Sequence, residues 1–224
     1  MNVGFGNLAT LRSSILPPDL GSDTRFDPFI QALGLGVAGQ IENFCNRQFA
    51  WAEGDQVEIS VEALSYVLPR YPVQTITDVA VRANFTDAWN ILNTGDVIAQ
   101  LRAKSGIVEF WPRWAPPLYF LYPSGGLRFA LVRLTCIGGY WWEPLEPTDD
   151  GYPSTPPDCA AMLPDDLKFA WLKQCEFLWQ QKDKLGVPLE PQANEKVALN
   201  PLWQEGLHPA VKQMITQYRR FQIL

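Results

Sequence analysis

Between residues 23 and 47 apolar side chains recur at steps of three and four: Phe26, Phe29, Ile30, Leu33, Val37, Ile41 and Phe44. That spacing marks one face of a helix. Asp27-Pro28 predicts its cap and first turn, because proline lacks an N–H that the first turn would leave unpaired anyway. Gly34, Gly36 and Gly39 oppose it, each by up to about 1 kcal/mol against alanine in a helix interior.

From 56 to 83 the period drops to two. QVEISV, SYVL and TITDVAVRA are divided by Pro69 and Pro72, with Val57, Ile59 and Val61 on one face and Glu58 and Ser60 on the other. Such alternation suits half-buried strands. VIAQL (97–101), GIVEFW (106–111) and LRFALVRLTCI (127–137) continue the series. The spacers are too short for crossover helices, so the sheet is expected to be antiparallel.

Residues 141–163 contain five prolines and no sustained period, the composition of a long loop. Pro164 opens a second helix with Leu167, Ala170, Trp171, Cys175 and Leu178 on one side, and Gly186 and Pro188 stop it. Asp165 and Asp166 sit at the positive end of its dipole. After an extended stretch over 187–206, Pro209 starts a short helix with Val211, Met214 or Ile215, Tyr218 and Phe221 on one side.

The expected fold is α+β. A helical body of two main helices (1–55 and 164–186) carries an inserted antiparallel β subdomain (56–140), a Pro-rich loop (141–163) and an extended C-terminal tail (187–224) ending in a short helix. Residues of the two main helices, Ile30, Leu33, Val37 and Ile41 against Trp171, Cys175 and Leu178, are expected to share a core.

Composition narrows the function classes. Apolar residues make up 47% and charged residues 19% of the 224, which is globular rather than disordered. No apolar run reaches membrane-span length, and MNVGFGNLATLRSS has no basic region followed by a long apolar stretch, so a soluble chain made in the cytoplasm, with no membrane partner, is expected. A formal net charge of −6 disfavours general nucleic-acid binding. Cys45, Cys136, Cys159 and Cys175 form no C-x-x-C pair and His208 is the sole histidine, so neither a metal site nor a cofactor is expected.

Gly34-Leu35-Gly36-Val37-Ala38-Gly39 matches G-x-G-x-x-G, and Glu58 follows at about the distance of a ribose-binding acid. A dinucleotide turn needs a buried strand before the first glycine, and that slot holds the helical FDPFIQAL. Glycines that admit another backbone or subunit close to a helix are the preferred reading. Asp149-Asp150 reads as a solvated loop, Asp165-Asp166 as first-turn charges and His208 as a cap or surface residue. With one histidine, no G-x-S-x-G elbow and no Walker loop, catalysis is not expected. Trp111, Trp114, Tyr119, Phe120 and Tyr122, with Trp141-Trp142, suit core packing or a protein interface, and less well a sugar- or base-stacking platform.

The order of motifs resembles the head-tail connector (adaptor) family of tailed bacteriophages. The resemblance rests on Ile41-Glu42-x-Phe44-x-x-Arg47, Leu68-Pro69-Arg70-Tyr71-Pro72-Val73-Gln74-x-Ile76, Ile137-Gly138-Gly139-Tyr140 and Pro164-Asp165-Asp166-Leu167-Lys168-x-Ala170, and spans about residues 8–185. It implies a non-enzymatic virion protein of the neck, between capsid and tail. Its partners would be the portal protein, neighbouring copies in a ring that is typically twelvefold, and downstream neck or tail proteins, with DNA passing through the channel. It also implies that the C-terminal segment reaches the portal. The residues suited to that contact are Leu199, Leu202, Trp203, Tyr218, Arg219, Arg220, Phe221, Ile223 and Leu224. Trp111, Trp114, Tyr119, Tyr122, Trp141 and Trp142 are candidates for contacts with neighbouring subunits or tail proteins. Two alternatives stand beside this: a carbohydrate- or receptor-contacting virion module using the Trp-rich segment, and a nucleotide-dependent enzyme using Gly34–Gly39.

Overall fold

The computed structural model describes residues 3–18, 24–60, 65–82, 86–92, 98–102, 106–111, 131–142, 155–181 and 206–220. In chain order the elements are α1 (Leu8–Ile15), α2 (Asp27–Cys45), β1 (Ala52–Ser60), β2 (Ser65–Val67), β3 (Val73–Arg82), β4 (Asn90–Leu92), β5 (Ile98–Arg102), β6 (Ile107–Trp111), β7 (Leu131–Gly138), β8 (Tyr140–Trp141), β9 (Ala161–Met162), α3 (Asp165–Gln180) and α4 (Pro209–Ile215). One-turn 3-10 segments precede α2 (Thr24–Phe26) and follow α4 (Thr216–Tyr218). The fold is α+β, with an antiparallel sheet and a short C-terminal helix. Among the described residues no helix is long and apolar enough to cross a membrane.

The chain forms two compact units: a helical one from residues 1–47, 142–156 and 162–219, and a β-rich one from 48–141, 157–161 and 220–224. In the helical unit α2 buries Ile30, Gly34, Val37, Ala38, Ile41 and Cys45. This face is rotated from the expected one, since Leu33 and Phe44 are half-buried and Phe29 is 48% exposed. The cause is Gly34, whose bare backbone lets the N-terminal segment and Trp171 press against α2. An added Cβ there would collide with the Val3 carbonyl oxygen and lie 2.8 Å from Leu11 Cδ2. Trp171, fully buried, donates from Nε1 to the Gly34 carbonyl oxygen at 2.9 Å.

On α3 the buried residues are Leu167, Ala170, Trp171, Gln174, Cys175 and Trp179. Leu178 is only half-buried, so the expected stripe is correct at Trp171 and Cys175 and displaced at its end, where Trp179 takes the place beside Phe26 and Phe29. The helix ends at Gln180, short of Gly186, where the Gln181 N–H donates to the Leu178 carbonyl in a tightened last turn. Asp27 begins α2 without capping it; its carboxylate instead takes both Nε (3.0 Å) and Nη2 of Arg12, tying α2 to α1.

In the β unit the four-stranded sheet runs β1-β7-β3-β4 and the three-stranded sheet β2-β6-β5, all pairs antiparallel. The register sets Ile59 and Val81 opposite Val132, and Val57 and Val79 opposite Leu134. These residues and Leu68, Val73, Val108 and Cys136 form the core, Val57 at its partly buried margin. Glu58 falls on the other face, as its alternation requires, and meets Arg82 at 3.2 Å.

Candidate functional site

The family-like motifs of the β unit converge on one corner. Arg70 donates from Nε to Asp55 Oδ2 at 2.7 Å, from Nη2 to Gln48 Oε1 at 3.0 Å and from Nη1 to the Ala50 carbonyl. The Gln48 N–H donates to Pro69 O (2.8 Å) and the Tyr71 N–H to Gln48 O (2.9 Å). Against this strand entry, Gly139 at φ 98° donates to Pro72 O at 2.6 Å, and Tyr140 donates to Phe49 O at 2.6 Å. A Cβ at Gly138 would stand 2.5 Å from Pro72 O, and one at Gly139 would collide with Ala50 O. The motif glycines are therefore required by backbone contact.

Of the C-terminal candidates, Tyr218 and Arg219 belong to the helical unit, next to α4. Leu207, Val211 and Ile215 are buried, and α4 packs on α3. Gln174, fully buried on α3, donates from Nε2 to Gly206 O (3.0 Å) and accepts from the His208 N–H (2.9 Å). His208 caps α4, its Nδ1 accepting from the Ala210 N–H at 3.2 Å. Tyr218 donates its phenol to Asp166 Oδ1 (2.7 Å), which also accepts from the Leu167 N–H (2.8 Å). Arg47 donates from Nε to Tyr218 O at 3.0 Å, and the Arg219 guanidinium lies 5.3 Å from the Phe44 ring centroid. Phe44, Arg47 and Asp166, all within motif segments that carry the family resemblance, thus hold down the chain end.

In the β unit Arg220 lies over the Tyr66 ring at 5.2 Å. Leu199, Leu202, Trp203, Phe221, Ile223 and Leu224 lie outside the described residues. So do Trp114, Tyr119 and Tyr122, the Asp149-Asp150 pair, and the side chain of Trp111, whose backbone belongs to β6. Trp141 and Trp142 are 5% and 6% exposed, and Trp142 meets Phe5 edge-on at 5.8 Å. Their indoles are packing residues of this chain, with little ring surface left for a sugar or a partner.

The glycine motif lies in the interior of α2. Its N–H groups are spent on helical bonds and no strand leads into it, so the turn that cradles a pyrophosphate is absent. Among the described residues no group of three or more His, Cys, Asp or Glu side chains could hold a metal ion. Burial pushes the thiols of Cys45 and Cys175 up to about 12 and that of Cys136 to about 11. Cys45 also donates to Ile215 O at 3.7 Å.

A surface not foreseen from sequence is an open groove of about 450 Å³ between α3 and α4, floored by Phe169, Phe177, Val211 and Met214. Its sequence signal is a second stripe on α3, Phe169, Lys173, Phe177 and Gln180 at helical spacing, on the side away from Trp171.

No family model matches the sequence, and no curated protein matches it. Two solved structures share the fold at 14% identity, each match covering 97% of this chain and 90% of the other. One belongs to the neck of an empty GTA particle computed with C6 symmetry (TM-score 0.50), the other to the virion of a native gene transfer agent (GTA) particle (TM-score 0.51).

Proposed function

We propose that this chain is a structural, non-enzymatic subunit of a virion neck, a head-to-tail connector that forms a ring on the portal and continues the DNA channel toward the neck or tail proteins. The observation that carries this reading is the likeness of fold to a neck chain over 97% of the sequence. The family-like motifs give it separate support, because their residues make the contacts that close each unit: Arg70 and Gly139 in one, Arg47, Phe44 and Asp166 in the other. The acidic composition suits a channel along which DNA slides without trading counterions for protein charges.

Within this reading the portal contact belongs to 187–205 and 221–224, which hold Leu199, Leu202, Trp203, Phe221, Ile223 and Leu224. Tyr218 and Arg219 serve first to fasten the chain end, and α4 stays with the body. A short bound segment repeated around a ring would gain from multivalency what each copy lacks in affinity. The test is deletion of the coding segment in the particle-producing host, followed by electron microscopy. DNA-filled heads without tails, together with free tails, are expected; intact tailed particles in normal number would overturn the proposal.

A further inference from the structure

From Pro28 to Ile41 the outer side of α2 carries no charge. Pro28, Ala32, Leu35, Gly36 and Gln40 are exposed, Leu35 by 49%, with Phe29 at the margin against Trp179; no Asp, Glu, Lys or Arg occurs from Pro28 to Ile41, and half-buried Glu42 follows. A helix face meant for water normally carries charged residues. Gly36 and Gly39 add to the anomaly. Unlike Gly34, neither is needed by the fold, because an added Cβ would meet nothing within 4 Å. Both weaken the helix while baring its backbone.

The groove between α3 and α4 is the second uncovered apolar surface of the same unit. It lies on the side of α3 away from Trp171, just as the outer face of α2 points away from the core those helices share. Its charges are compensated in place: Lys173 Nζ stands 2.8 Å from Glu176 Oε2 and 5.5 Å from the Phe169 ring centroid. Phe169 is 48% exposed.

We propose that the outer face of α2 in one copy seats in the α3–α4 groove of the next copy, head to tail. This rests on the ring proposed above and names its contact surfaces. The electrostatic match favours a second copy. The uncharged stretch Pro28–Ile41, covered by a groove whose cation and anion already satisfy each other, strands no ion when water leaves. Two different faces of one chain make a heterologous interface, which closes into a ring when the rotation per subunit allows it.

The test uses the full chain with Leu35→Glu or Phe169→Glu, both at exposed positions, followed by sedimentation velocity over a hundredfold concentration range. The wild type is expected to form a closed oligomer and each variant alone a monomer. An equimolar mixture of the two variants should give a one-to-one dimer, because one intact α2 face then meets one intact groove. Ala32→Arg and Met214→Lys serve the same purpose if either first variant melts early. A wild type that stays monomeric throughout, a mixture that stays monomeric, or variants that assemble like the wild type would each overturn the assignment. In the last case the neck reading survives, since deletion from the particle tests it independently.

Discussion

The Tyr218 phenol donates to Asp166 Oδ1 at 2.7 Å, joining the last described turn of the helical unit to the first turn of α3. A hydrogen bond to a carboxylate contributes about 1.5–3 kcal/mol. Tyr218→Phe is therefore expected to lower the urea midpoint by a corresponding amount with an unchanged slope, measured by circular dichroism. An unaltered midpoint would show that the chain end is held by Arg47 and the α4 core alone.

Truncation before Leu207 should do far more. It removes Leu207, Val211 and Ile215 from the core, each worth about 1.5–3 kcal/mol of burial, and takes the His208 N–H away from buried Gln174 Oε1. The sum approaches the whole stability of a typical domain. The truncated chain should lose the cooperative melt of its helical unit, whereas replacing only 187–205 by a flexible linker should retain it.

The three motif glycines separate cleanly. Gly34→Ala should destabilise by several kcal/mol through overpacking, because its Cβ would strike Val3, Leu11 and Trp171. Gly36→Ala and Gly39→Ala should each stabilise the isolated subunit by up to about 1 kcal/mol, since both face open space. Thermal melts of the three variants check the ordering.

Periodicity made the main helices, the principal strands and the antiparallel sheet legible. What it could not reveal was rotation. Phe29 reads as core by spacing, yet in α2 Gly34 faces inward while Phe29 stays at the half-exposed margin, against Trp179. Helix α1 was missed because its face comprises only Leu11 and Ile15; its usable signals were the Asn7 cap, which accepts from the Thr10 N–H at 2.8 Å, and the Pro17-Pro18 stop. The groove stayed hidden because Val211 and Met214, remote in sequence from Phe169 and Phe177, complete it only after α4 docks. Composition alone likewise could not tell that Val211 and Ile215 of α4 pack on α3.

The cysteines supply a pH test. The Cys45, Cys136 and Cys175 thiols lie well above their ordinary value of 9.0 because of burial, so the folded state holds protons there that the unfolded chain releases. Their effect is absent below about pH 9, and stability should fall progressively from there toward pH 12. In the native protein near pH 8, a thiol-reactive dye should label exposed Cys159 promptly and the other three only on unfolding. Prompt reaction of all four would contradict the packing described.

The proposed place in the virion is tested most simply by cryo-electron microscopy of purified particles carrying a small globular tag fused to this chain. Tag density is expected as a ring at the junction of head and tail, with one copy per portal subunit. Density on the capsid shell or the distal tail, or mature particles that lack the chain, would contradict it.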